Sequence, residues 1–242
     1  LELSSVVPWG RSFSEYQEIF SLSKDDLEKS ILGCGDGPAS FNAELSKRGG
    51  NVVSVDPTYE FSVDQLRSRI DQAYDEIMPQ VIDNKDRFVW ERIRSVEDLG
   101  HVRMSAMNEF IEDFQAGKAS GQYLAESLPS LSFKDKQFDL ALCSHYLFLY
   151  SEHVSLAQHI ASIKELCRVA KEVRIYPLVS LNGEESPHLN QTIVALNELG
   201  LACTLVNVEY RFQKGATQML VVQSAKHASQ KAKDLVDMKC RT

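Results

Sequence analysis

Apolar positions along the chain switch between the helical period and the short continuous runs of buried strands. Phe13, Tyr16 and Phe20 share one helical face behind the capping box Ser12-Phe13-Ser14-Glu15, which predicts a helix over residues 12–21. The run Ile31-Leu32 leads into a glycine-rich turn, Gly33-Cys34-Gly35-Asp36-Gly37. A short helix through Phe41 and Leu45 then stops at Gly49-Gly50, and a second apolar run, Val52 to Val55, ends on Asp56. Strand, tight turn, helix, strand and acid follow one another in the order of a nucleotide-binding βαβ unit.

A parallel α/β fold returns to a strand after about 30 residues, but here two helical stripes intervene. One runs through Leu66, Ile70, Tyr74, Ile77 and Val81, the other through Ala106, Met107, Phe110, Ile111 and Phe114. Residues 61–118 are therefore predicted to be an all-helical insertion, serving as a lid, a packing elaboration or a dimer surface. Strands are expected at 122–125, at Phe138–Cys143 and at Glu172–Leu178. The helices between them pass through Leu156, Ile160, Ile163 and Cys167, and through residues 187–199. Cys203–Tyr210 and Gln218–Ser224 are joined by a connection too short for a helical crossover, so they form an antiparallel hairpin. The whole is an α/β chain in which residues 1–225 form one domain, followed by a loose polar tail from Lys226 to 242.

Composition narrows the function. The 242 residues suffice for a large core, and a formal charge of −8 argues against a broad nucleic-acid or anionic-membrane surface. Cys34, Cys143, Cys167, Cys203 and Cys240 are odd in number and unpaired in spacing, which fits a reduced, cytoplasmic protein and leaves no Cys/His metal cluster. No apolar run is long enough to span a bilayer, and no basic–apolar signal opens the chain, although it begins at Leu1 and a natural start can precede it.

The alternating β/α pattern with its terminal hairpin resembles the class I S-adenosylmethionine-dependent methyltransferases, whose fold is a Rossmann-like seven-stranded sheet. Two motifs carry the resemblance. The first is the glycine turn, with Gly35 and Gly37 at two glycine positions of the family's motif I, Ala39 at the third, and Asp56 as the acid ending the second strand. The second is Leu128-Pro129, Phe133 and then Gln137 to His145, similar to the segment that runs into the fourth strand and its motif IV turn.

The resemblance implies S-adenosylmethionine as cofactor. The backbone of Gly33, Cys34, Gly35 and Gly37 would face its methionine portion, and Asp56 its ribose hydroxyls. Pro57, Ala125 and Glu126 would lie by the adenine, and Ser144 and His145 where the methyl group meets the acceptor. Gly33 stands where the family's motif I carries an acid for the cofactor's amino group. Its loss would cost about 1.5–3 kcal/mol unless another group replaces it. Arg11 is either a solvated charge or an anion clamp that, with Tyr16, holds the methionine carboxylate.

His145 is the candidate base, since an imidazole titrates near neutrality, and the alternative is a packed structural histidine. Tyr146, Phe148 and Tyr150 are either an aromatic acceptor pocket or core, and His188 is a second candidate near the acceptor. A small-molecule acceptor is expected, with a protein substrate as the other possibility. Two rival readings are an NAD-dependent oxidoreductase, because Gly35-x-Gly37-x-x-Ser40 nearly fits the dinucleotide fingerprint, and a non-catalytic cofactor-binding or scaffold protein.

Overall fold

The computed structural model describes residues 7–224; the predicted tail from Lys226 and Cys240 lie outside them. Seven strands, β1 (Ser30–Cys34), β2 (Asn51–Val55), β3 (Tyr123–Leu124), β4 (Phe138–Ser144), β5 (Ala170–Tyr176), β6 (Leu201–Asn207) and β7 (Gln218–Ser224), form one sheet. Their order is β3-β2-β1-β4-β5-β7-β6. The first five are parallel, while β7 runs antiparallel to both β5 and β6. This is the class I methyltransferase fold. Strand order reverses between β1 and β4, and in open α/β sheets the ligand crevice lies at the carboxyl ends of the strands flanking that reversal.

The central strands are apolar because helices cover both faces. Ile31, Leu32, Leu140, Ala141, Leu142 and Cys143 are all buried. Helix α1 (Phe13–Ile19) starts at the expected capping box, with Ser12 and Glu15 bonding each other's backbone. A short α2 (Lys24–Leu27) follows, and α3 (Phe41–Lys47) packs on α1 through Phe41, stacked on both Phe13 and Tyr16. The terminal hairpin pairs Leu201 with Ser224 through to Asn207 with Gln218, as the short connection required.

Two expectations need correction. The apolar run at 31–32 does not end at Gly33. Strand β1 continues through Cys34, with Gly33 paired to Ser54 and to Leu142, so the turn begins only at Gly35. The stretch 61–118 is not one all-helical insertion either. It holds α4 (Val63–Asp83), a 3-10 turn (Lys85–Arg87), an irregular segment and α5 (Val96–Ala119). Helix α5 is the crossover that a parallel β2–β3 connection demands. Its Phe110 and Phe114 pack with Tyr59 and Tyr123 at the end of the sheet, and its Glu109 pairs with Lys47 of α3. The extra piece is α4 with the segment up to residue 95. Beyond β4 lies α6 (Leu156–Val169), and α7 (Leu189–Glu198) precedes β6. No helix among the described residues is long and apolar enough to cross a membrane.

Candidate functional site

A cavity of about 440 Å³ opens at the carboxyl ends of β1, β2, β4 and β5, within the range of small-molecule sites. Its roof comes from two distant pieces of chain. Phe88, just past α4, stacks on Phe212 of the β6–β7 connection with ring centres 4.9 Å apart. The Val89 N–H donates to the Phe212 carbonyl at 2.7 Å and the Lys214 N–H to that of Arg87 at 3.0 Å. Ile77 and Val81, from the last turns of α4, also face the cavity.

One wall is acidic. Gly35 and Gly37 have φ of 69° and 50°, the left-handed region where a side chain is strained. The resulting turn folds Asp36 back over β1. A Cβ at Gly33 would lie 1.8 Å from the Asp36 Oδ2, so position 33 must be glycine for the Asp36 carboxylate to occupy that space. The Asp36 carboxylate thus fills the space that a side chain at position 33 would take. Asp36 accepts bonds from the Tyr16 hydroxyl at 2.8 Å and the Ser54 hydroxyl at 2.6 Å. Asp56, at the end of β2, accepts from the Gly37 N–H at 2.9 Å and from the Thr58 N–H and hydroxyl at 2.8 and 2.6 Å.

Both carboxylates are buried, and neither has a Lys or Arg partner among the described residues. Burial pushes the Asp36 carboxyl up to about 6 against its two hydroxyl donors, with the Asp56 charge adding to the rise. Burial raises Asp56 as well. Two buried acids without cations suit a ligand that brings an amine and a pair of hydroxyls.

At the end of β4, His145 has a φ of 52°, a strained conformation for a residue with a side chain, fixed by its N–H donating to the Tyr176 carbonyl at 2.6 Å. Its Nδ1 lies 2.8 Å from the Ser144 hydroxyl, and the Tyr16 hydroxyl donates to Asp36 at 2.8 Å. Burial, and then the charges of Arg11 and Arg103, hold this imidazole well below its ordinary pKa, so it is neutral at pH 7.

A second part of the lining is cationic. Arg11 reaches the cavity from the loop before α1, its Nη1 bonded to the Trp9 carbonyl at 2.6 Å, and its Nε is buried with no partner. Behind it Arg103 of α5 is fully buried and pairs with Glu15 at 2.7 Å. Burial alone would raise the Glu15 carboxyl, but the charge and hydrogen bond of Arg103, with Arg11 beyond, hold it at about 2. The other Glu15 oxygen accepts from the Tyr210 hydroxyl at 2.7 Å.

Of the residues singled out in the sequence, Arg11, Cys34, Gly35, Gly37, Asp56, Pro57, Glu126, Ser144, His145 and Tyr146 all line this cavity. Tyr150 lines it too, while Phe148 is core. Three do not line it. Gly33 is inside β1 beneath Asp36. Ala125 is exposed beyond β3. His188 turns to His159, ring centres 5.0 Å apart, at the start of α7.

Sequence reasoning missed Asp36 as a site residue, and with it the Glu15–Arg103–Tyr210 group and the aromatic roof. Arg103 did leave a trace: it falls on the stripe of Leu99, Met107 and Phe110, a charge in an apolar row. Nothing in the sequence joins Phe88 to Phe212.

No family model matches the chain. It is 29% identical over 224 residues, 92% of its length and 98% of the other, to a protein of Methanocaldococcus jannaschii described as uncharacterized protein MJ0045. Solved structures that overlap it include a putative S-adenosyl-L-methionine-dependent methyltransferase of Methanococcus maripaludis, 8% identical with a TM-score of 0.45, covering 88% of this chain and 83% of that one. A TehB-like SAM-dependent methyltransferase of Corynebacterium glutamicum overlaps with 12% identity and a TM-score of 0.43, covering 87% and 86%. The fold assignment rests on strand order, not on these partial overlaps.

Proposed function

We propose that this chain transfers a methyl group from S-adenosylmethionine to a small-molecule acceptor. The observation that carries the reading is the pair of buried, cation-free carboxylates, Asp36 and Asp56, on either side of the glycine turn at the reversal of strand order. Asp36 would hold the cofactor's ammonium group and Asp56 its ribose hydroxyls. The backbone of Gly35 and Gly37 allows close approach, and Pro57 and Glu126 flank the adenine.

Methyl transfer moves an acceptor lone pair onto the methyl carbon while the carbon–sulfur bond breaks, its electron pair staying on sulfur to leave a neutral thioether. The chain's share is alignment and the exclusion of water under the Phe88–Phe212 roof. With Nδ1 donating to the Ser144 hydroxyl, His145 Nε2 would take the proton that an acceptor hydroxyl, thiol or amine gives up, while that bond and the edge contact with the Tyr176 ring orient the imidazole. The roof over the cavity favours a small acceptor over a protein, with Tyr146 as one of its walls.

Calorimetric titration with S-adenosylmethionine, S-adenosylhomocysteine and NAD tests the reading. Micromolar binding of the first two is expected, and binding of NAD alone would replace the assignment with a dinucleotide oxidoreductase. Once an acceptor is found, His145→Ala is expected to cut turnover while sparing cofactor affinity. Equal turnover would make His145 a structural residue.

A further inference from the structure

The cofactor's amine and ribose make no use of the cationic wall, which calls for an anion. Two guanidinium groups, Arg11 and Arg103, are set into this wall against a single carboxylate, Glu15. Glu15 is already saturated: Oε2 takes Arg103 and the Ser12 N–H, and Oε1 takes the Tyr210 hydroxyl. Arg103 still has Nε and Nη2 without partners, and Arg11 has Nε.

The groups facing Arg11 from other elements are Arg103 of α5, Tyr210 of the β6–β7 connection and Tyr150 and His145 beyond β4, with Tyr176 of β5. Glu15 is the one negative charge set against the two guanidinium groups at neutral pH, so the cluster keeps one positive charge in excess. Burial and the neighbouring Arg103 pull Arg11 down to about 10, which leaves it charged at pH 7. At the cavity mouth Arg87 and Lys214 add exposed positive charge beside Asp86. This concentration stands out in a chain of net charge −8. A buried guanidinium with free donors is costly unless a ligand supplies the anion, and a carboxylate matches both its fork geometry and the single excess charge.

Building on the methyl-transfer reading, we infer that the acceptor is a small organic carboxylate whose acid group seats on Arg11, between the roof and the phenols of Tyr150 and Tyr210. The cofactor's own methionine carboxylate presents the same chemistry, and the experiment must separate the two sources.

Titrations would use benzoate and phenylacetate, with benzamide and phenylacetamide as neutral counterparts, against the full chain saturated with S-adenosylhomocysteine and against the chain alone. The aromatic probes suit the tyrosine lining. The acids are expected to bind at least tenfold more tightly than the amides. Arg11→Gln should abolish that preference and Arg11→Lys keep part of it, with S-adenosylhomocysteine affinity changed by less than twofold in both. S-adenosylhomocysteine and its decarboxylated analogue are then titrated against parent and Arg11→Gln. If the variant weakens the first and not the second, Arg11 serves the cofactor and the inference is overturned. Equal binding of acids and amides by the parent overturns it as well, and needs no variant. If S-adenosylhomocysteine fails to bind while the acids still prefer the parent over Arg11→Gln, the methyl-transfer reading falls and the carboxylate seat stands.

Discussion

The two walls of the cavity bury charge to similar depth but handle it in opposite ways. Asp36 and Asp56 are held by neutral donors, the hydroxyls of Tyr16, Ser54 and Thr58 and the N–H groups of Gly37 and Thr58. Nothing cationic among the described residues pairs with them, and burial raises both carboxyls. Behind Arg11, Arg103 and Glu15 compensate each other with 0% and 1% of their side chains exposed, and only Arg11 is left over. Breaking a buried ion pair strands a charge, whereas neutralising an uncompensated acid relieves one. The first wall therefore carries uncompensated acids at a cost in stability, as the proposed cofactor role requires. The second mostly ties α1, α5 and the β6–β7 connection together and keeps one charge free.

Glu15→Gln should show the largest effect. It leaves the Arg103 guanidinium buried without a counter-charge and is expected to cost about 3–5 kcal/mol in denaturant unfolding. A loss below about 1 kcal/mol would mean that the pair does not hold this wall together.

Asp36→Asn should act in the other direction on the free protein. Burial lifts the Asp36 carboxyl from the ordinary 3.8 to about 6, so its contribution to stability is full below pH 3.8 and is lost as pH rises through about 6. At pH 7 the ionised group costs the free protein about 2–3 kcal/mol, and Asp36→Asn is expected to recover much of that. It should also weaken S-adenosylhomocysteine binding by about 1.5–3 kcal/mol. A variant that is less stable at pH 7 and binds as well as its parent would erase the contrast between the walls.

Asp56→Ala, which removes the acceptors proposed for the ribose, should weaken S-adenosylmethionine binding by about 1–3 kcal/mol. An unchanged affinity by calorimetry would take Asp56 out of the cofactor site.

The same contrast decides what was legible in the sequence. The acidic wall lies within 31–56, one βαβ unit whose glycines, strand ends and terminal acid follow local rules, and Asp56 could be named from its place alone. Even there Gly33 looked like a loss, because the chain shows which residue is absent and not that Asp36 folds back into its place. The cationic wall gathers Arg11 and Glu15, Arg103 and Tyr210 from three parts of the chain, and no periodicity reports such a meeting. In the same way, 61–118 gave its helical stripes correctly but not the division between an added helix, α4, and the crossover helix α5. That division depends on which helix packs against the sheet.

The central claim is that the Asp36 carboxylate receives the cofactor's ammonium group. The measurement that tests it most directly is the affinity for S-adenosylhomocysteine at pH 5 and pH 7.5, for the parent and for Asp36→Asn. An ammonium partner binds the ionised carboxylate, so in the parent affinity should fall about tenfold as pH drops from 7.5 to 5, with proton release on binding below about 6. Asp36→Asn should bind weakly and lose most of that dependence, the raised Asp56 carboxyl accounting for any remainder. Tight binding that is the same at pH 5 and 7.5 in the parent, or the full tenfold dependence surviving in Asp36→Asn, would contradict it.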